Sequence, residues 1–177
     1  MKKISILLIS LLLLCSCSIQ KEEKVAKEDK FALEYSIDEN HKFKSSKIHD
    51  IFDILDSDTG IIYFANSDEE KSIIYTDIIN NIFNKLDVDK INYYNPSTIK
   101  NNNTKYYREL LNLVGEYSIL NDNNNSSLDI PSLYFVKDGE IIGYMSSNEY
   151  SVDSLMKKKT KKALKQEIKD NLDKYNK

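Results

Sequence analysis

Five segments of the chain have the apolar patterning of β-strands. They cover residues 31–37, 61–65, 90–95, 132–136 and 140–145. Residues 61–65 are apolar without interruption, which is typical of a central strand buried on both faces. Residues 31–37 alternate apolar and polar positions, which predicts a strand with one buried face. Asp138 and Gly139 separate the last two strands and predict a tight hairpin turn.

Apolar residues at helical spacing predict four helices between and after these strands. Ser45 or Ser46 is expected to cap the first helix, Thr104 the third, and Ser151 or Asp153 a last helix that runs to about residue 175. The second helix is predicted to begin at a capping box, because Ser67 is followed three residues later by Glu70. Three acidic residues, Asp68, Glu69 and Glu70, would then lie at the positive end of its dipole.

The predicted order is therefore β-α-β-α-β-α-β-β-α. Helices between strands imply right-handed crossovers and a sheet that is covered on both faces. A hairpin at the end makes the sheet mixed, so the predicted fold class is α/β with a mixed sheet and a terminal β-hairpin. The scarcity of turn residues, with 4 Gly and 2 Pro, argues against an all-β sandwich.

The amino terminus has the pattern of an export signal. Two lysines precede an apolar run that is too short to span a bilayer as a helix. The segment Leu14-Cys15-Ser16-Cys17 resembles a bacterial lipobox. That resemblance implies that residues 1–16 are removed and that Cys17 receives a diacylglycerol on its sulfur, which would anchor the protein to the outer face of the cell membrane. An ordinary secretory signal with incidental cysteines is the alternative.

Acylation of Cys17 would leave the mature chain without any thiol. Cys15 would leave with the signal and Cys17 would become a thioether, so no disulfide, thiolate nucleophile or thiolate metal ligand could form. Polar residues 17–30 are expected to be the lipidated cysteine and a solvated tether, and residues 31–177 the folded domain.

Composition and charge exclude several classes of function. Two cysteines and two histidines are too few for a four-ligand zinc site, and His41 and His49 are expected to be surface side chains. The aspartates near residue 50 lack the glycine and terminal glutamate of an EF-hand and predict a solvated acidic face; they are Asp50, Asp53, Asp56 and Asp58. No metal or cofactor is therefore predicted. A net charge of −3 gives no support for nucleic-acid binding.

The charge is distributed unevenly along the chain. Residues 153–177 contain nine lysines and four acidic residues, a net charge of +5, whereas residues 17–152 contain 14 basic and 24 acidic residues, a net charge of −10. The last helix is thus basic and follows an acidic body. Its lysines form either a solvated helix face or a surface that contacts anionic lipid or an anionic wall polymer.

The order of elements, with a proline before the final hairpin, resembles the thioredoxin fold. Residues 59–64, 93–95, 106–107 and 130–143 together resemble thioredoxin-like lipoproteins and bacteriocin-accessory-type proteins of Gram-positive bacteria. The resemblance implies a thioredoxin-like three-layer fold. The Cys-X-X-Cys of active relatives falls on Glu69, Glu70, Lys71 and Ser72, so disulfide exchange is not expected and no catalytic residue is predicted.

The resemblance also implies a peptide-binding edge. Pro131 matches the family proline that usually follows a cis peptide bond, and Ile130 matches the residue whose backbone meets a bound peptide. The expected function is that of a redox-inactive, membrane-anchored accessory protein in envelope or peptide-export processes, with an extended peptide or an envelope protein as partner. The alternatives are a thiol-disulfide oxidoreductase, which the missing thiols disfavour, and a structural or immunity-type surface lipoprotein.

Overall fold

A computed structural model describes residues 29–102 and 104–177. Its helices are α1 (Lys30–Tyr35), α2 (Ile48–Asp56), α3 (Glu70–Phe83), α4 (Ser97–Asn101), α5 (Lys105–Val114), α6 (Val152–Leu155) and α7 (Lys158–Tyr175). Its strands are β1 (Phe43–Ser45), β2 (Gly60–Phe64), β3 (Ile91–Tyr94), β4 (Ile119–Leu120), β5 (Ser126–Ser127), β6 (Ser132–Lys137) and β7 (Glu140–Ser146). The predicted signal, Cys17 and the tether up to residue 28 lie outside the described residues.

Five strands form one mixed sheet in the order β1-β3-β2-β6-β7. The first three are parallel, whereas β6 is antiparallel to β2 and β7 is antiparallel to β6. All five residues of β2 are buried, as the apolar run predicted. Strands β4 and β5 form a separate small hairpin. The predicted α/β class with a mixed sheet and a terminal hairpin is confirmed.

Helices cover both faces of the sheet. Because side chains alternate along a strand, Ile61 and Tyr63 of β2 point into one hydrophobic cluster, while Ile62 and Phe64 point into the other. Helices α1, α3, α6 and α7 close the first cluster, and α2 and α5 close the second. The residues that form the described sheet and both clusters lie between Phe31 and Tyr175. No helix in this part of the chain is long and apolar enough to cross a membrane.

The predicted strand at residues 31–37 is wrong, because this segment begins with helix α1. The Asp29 side chain accepts a hydrogen bond from the Ala32 amide and caps the helix. Phe31 and Tyr35 are buried one turn apart, whereas Leu33, which the alternation placed on the same face, is 63% exposed. The edge strand is instead β1, which the pattern did not predict.

Two predicted helix boundaries also change. Helix α2 begins after Lys47, because Ser45 belongs to β1 and the Ser46 hydroxyl donates to Asn92 Oδ1. The single long helix after Ser151 is two helices, α6 and α7, with a break around Lys157. The caps at Thr104 and Ser151 are confirmed. So is the hairpin turn between β6 and β7, in which both Asp138 and Gly139 have positive φ.

Candidate functional site

The register of β2 against β6 brings two predicted segments together. Phe64, the last residue of β2, pairs with Ser132, the first residue of β6. The chain that leaves β2 therefore lies beside the chain that enters β6. The turn that leads into α3 is therefore at the same end of the sheet as Ile130 and Pro131.

The turn between β2 and α3 is organised by Asn66 rather than by Ser67. The Asn66 side chain accepts a hydrogen bond from the Asp68 amide, and its carbonyl accepts one from the Glu69 amide. Residues 67–69 are thus held in a turn, and the helix begins at Glu70 with Glu69 as the N-cap residue and no side-chain cap bond. The predicted capping box of Ser67 and Glu70 is wrong for this reason.

The four positions that match the Cys-X-X-Cys motif differ in burial. Glu69 and Glu70 are exposed, Lys71 is half-buried and Ser72 is fully buried. The Ser72 hydroxyl accepts a hydrogen bond from the Asn66 amide at 3.4 Å, and the Ser72 carbonyl accepts one from Thr76 at 2.7 Å. These side chains supply carboxylates, an amine and a hydroxyl. Both cysteines of the chain precede residue 29, so the described residues contain no thiol for disulfide exchange.

Ile130 and Pro131 form the other side of this edge. The peptide bond between them is cis, Pro131 is buried and Ile130 is half-buried. The Pro131 carbonyl accepts a hydrogen bond from the Ser147 amide. In contrast, neither the amide nor the carbonyl of Ile130 takes part in a hydrogen bond within the described part of the chain. Ile130 therefore carries a backbone donor and an acceptor that the fold leaves unpaired.

A buried carboxylate that the sequence did not single out fixes the loop before Ile130. Asp129 is 2% exposed and accepts a hydrogen bond from the Tyr144 hydroxyl at 2.9 Å. It also accepts short hydrogen bonds from the Ser146 hydroxyl and the Asn148 side-chain amide. Burial and the nearby Asp129 charge raise the pKa of Tyr144, so this phenol stays protonated and remains a donor. Asp129 thus ties the loop to the end of β7.

The electrostatic character of the edge is acidic. Asp68, Glu69 and Glu70 are all exposed at the amino end of α3, where the helix dipole favours negative charge. Across the turn, the Asn95 side-chain amide donates to Asn66 Oδ1 at 3.3 Å and joins the ends of β2 and β3. An acidic rim therefore borders the unpaired backbone of Ile130 on a scaffold that is held by amide contacts.

The other candidate residues lie away from this edge. His41 is not a surface side chain: its imidazole is 3% exposed, lies 3.3 Å from an Asp29 carboxylate oxygen and packs on Phe31 and Phe43. His49 is exposed and contacts Tyr106 edge to face.

The four aspartates predicted to be solvated are exposed, and three of them line a cavity of about 490 Å³ at the opposite end of β2; the three are Asp50, Asp53 and Asp58. Residues 29–102 and 104–177 contain no group of three side chains arranged to hold a metal ion.

The geometry can support binding through backbone pairing but offers no nucleophile for thiol chemistry. Comparisons of the chain with protein-family models, with curated proteins and with solved structures found no match.

Proposed function

We propose that this chain is a membrane-anchored, extracytoplasmic accessory protein with a thioredoxin-like domain that binds an extended peptide and has no redox activity. The anchor is Cys17, in the segment Leu14-Cys15-Ser16-Cys17 that resembles a lipobox. The partner is a segment of an envelope or exported protein.

The strand order supports the thioredoxin-like assignment. A buried central strand, β2, lies between a parallel neighbour, β3, and an antiparallel neighbour, β6, with helices on both faces. This is the arrangement that the resemblance implies. The turn that leads into α3 is at the same end of the sheet as Pro131, where relatives with a Cys-X-X-Cys have their active site.

Absence of redox activity follows from the side chains at that place. Glu69 and Ser72 stand where the resemblance puts the two cysteines, and neither can form a mixed disulfide. The helix dipole, which would lower the pKa of a cysteine thiol here, instead acts on carboxylates.

The unpaired backbone of Ile130 is the observation on which peptide binding depends. An extended chain that lies beside Ile130 could accept from its amide and donate to its carbonyl, as in strand addition. Asp68, Glu69 and Glu70 would favour a basic peptide and oppose an acidic one. These are exposed rim charges, so each is expected to contribute about 1 kcal/mol or less.

A peptide array and a site-directed photoprobe test this function. The array carries extended basic and acidic peptides, each also in a form with alternate backbone amides N-methylated, and the photoprobe replaces residue 69. We expect capture of basic peptides, loss of binding on N-methylation, and crosslinks between the probe at position 69 and the bound peptide. The variant E69K/E70K should weaken basic-peptide binding by up to about fivefold for each charge reversed.

Charge reversal elsewhere is the matched control. Glu109 and Glu116 are exposed and lie in or just after α5, away from this edge, so E109K/E116K should leave binding unchanged. Insensitivity to N-methylation together with equal effects of the two double variants would rule out a peptide site at Ile130.

A further inference from the structure

Lysines line one side of α7 where it packs beside α3. A groove of about 390 Å³ between the two helices is bordered by five lysines and a single acidic residue, Asp77; the lysines are Lys85, Lys158, Lys161, Lys162 and Lys165. The four on α7 recur every three or four residues, so they form a row along one side of the helix. We call this surface the lysine face.

The lysines of the lysine face form no ion pair with the described residues, although Asp77 borders the same groove. In the part of the chain that the structure describes, ion pairs within 4 Å join Lys30 to Glu34 and His41 to Asp29, and none involves the lysines of α7. Like charges three or four residues apart on a helix repel each other and destabilise it. Repulsion among these lysines therefore destabilises the isolated domain. A bound external anion would offset that repulsion and make the row stabilising.

The acidic residues of α7 all follow Lys165, the last lysine of the lysine face. Glu167 is close enough to Glu149 and Asp170 for their charges, after burial itself, to raise the pKa of its carboxyl. The first nine residues of α7 thus contain five lysines and no acidic residue, whereas all three acids lie nearer its carboxyl end. This separation produces one strongly basic strip on a domain that is otherwise acidic, which is the pattern expected of a docking surface for an anionic partner.

Two features next to the lysine face favour a membrane over a soluble anion. Met156 precedes the lysine row by two residues and is 61% exposed. Apolar side chains beside lysines suit the boundary between headgroups and acyl chains. The row also extends over eight residues, about 10 Å of helix, so it can contact several headgroups at once rather than one phosphate.

Asp29, the first described residue, lies on the same side of the sheet as the lysine face. Helix α1 and helix α7 both pack on the cluster that α3 closes, so Asp29 lies on the side of the sheet that carries the lysine face. The eleven residues between Cys17 and Asp29 can extend by at most about 40 Å. A lipid on Cys17 would therefore keep this layer close to the bilayer.

We propose that the lysine face docks on anionic phospholipid headgroups and orients the domain on the membrane. The proposal rests on the proposed function, because the anchor supplies the proximity. Docking through α3 and α7 turns one helix layer toward the lipid and leaves the edge at Ile130, at the end of the central strands, open to a peptide. The lysine face thus adds an electrostatic contact to the attachment through the acyl chains; since two acyl chains already retain the protein, this contact sets the orientation of the domain.

Vesicle sedimentation with a chain that lacks the anchor tests this docking directly. Residues 18–177 include every element of the described fold, so they can be used without Cys17. We expect binding to vesicles of phosphatidylcholine mixed with phosphatidylglycerol, little binding to phosphatidylcholine alone, and release at high salt. The variant K158Q/K161Q/K162Q/K165Q should reduce the partition coefficient by on the order of a hundredfold, and M156A by a few-fold.

Removal of the same charge elsewhere is the control. K44Q/K100Q/K105Q/K137Q changes four lysines outside the lysine face and should retain most of the binding. Equal losses in the two fourfold variants would overturn the proposal, as would a wild-type chain that binds soluble polyphosphate but not the vesicles. Because this chain lacks Cys17, the result is independent of acylation: failure of the anchor would appear as missing lipid labelling of the full chain, with vesicle binding intact.

Discussion

At the scale of single residues, Asp129 determines where the backbone of Ile130 lies. Its buried carboxylate accepts from Tyr144, Ser146 and Asn148, all of which belong to β7 or follow it. A carboxylate can satisfy several donors at once because both of its oxygens only accept. The loop before Pro131 is therefore attached to the end of the hairpin by one side chain.

The substitution D129N is expected to destabilise the domain by about 1–3 kcal/mol, because the amide turns one acceptor into a donor that faces other donors. Urea denaturation followed by circular dichroism measures this as a lower midpoint at an unchanged slope. Asp122 is exposed in the loop between β4 and β5, so D122N should change stability by less than about 0.5 kcal/mol. Equal midpoints for D129N and D122N would contradict the role assigned to Asp129.

Part of this site could be predicted from sequence, and the rest depends on contacts that only the fold creates. Pro131 and Glu69 were placed by an ordered pattern of strands and helices. Asp129 was missed because its partners lie 15 to 19 residues further along the chain and approach it only when β6 and β7 pair. The burial of His41 was missed for a similar reason, since the aromatic side chains that cover it belong to α1 and β1.

At the scale of elements, the packing of α7 on β7 depends on the lack of a side chain at Gly143. A Cβ atom at Gly143 would lie 2.5 Å from Asn171 Oδ1 and 2.7 Å from its Cγ. Both distances are shorter than a van der Waals contact between such atoms. The absence of a side chain at Gly143 therefore allows the buried Asn171 of the basic helix to approach the sheet closely.

The substitution G143A is expected to cost about 1–3 kcal/mol, because Asn171 must move or α7 must shift outward. N171A removes the obstructing atoms, so in the double variant G143A should cost less than it does alone. A double-mutant cycle by chemical denaturation should give a coupling energy of at least about 0.5 kcal/mol. Additivity of the two single effects would show that this contact does not set the distance between helix and sheet.

Long elements were predictable because their apolar periodicity is strong and local. Two of the exceptions were α1 and β1, which are short and take their structure from tertiary contacts. Phe31 packs on Phe43 and Tyr93, with ring centroids 4.7 and 4.6 Å apart, and this aromatic contact decides which residues face inward. The alternation over residues 31–37 carried no information about these partners, so a helix was mistaken for a strand.

At the scale of the whole molecule, the two proposed surfaces have opposite charge and different positions. The acidic rim of Asp68, Glu69 and Glu70 lies at the amino end of α3, whereas the lysine face runs along α3 and α7. A membrane of negative potential would attract the lysine face and repel the acidic rim. The charge distribution therefore favours an orientation in which the peptide edge points away from the lipid.

The anchor keeps the domain at the membrane where it can adopt this orientation, and it gives the last prediction. In full-length protein produced in a Gram-positive host, C17A should abolish metabolic labelling by a fatty-acid probe and lower the membrane-bound fraction, because a thioether at Cys17 can no longer form. The lysine face alone gives a reversible and salt-sensitive attachment, so the residual membrane-bound C17A protein should be released by a high-salt wash. The matched variant C15A should keep both labelling and retention, since Cys15 would be removed with the signal. Unchanged labelling of C17A, or loss of labelling in C15A alone, would show that the lipid is not attached at Cys17.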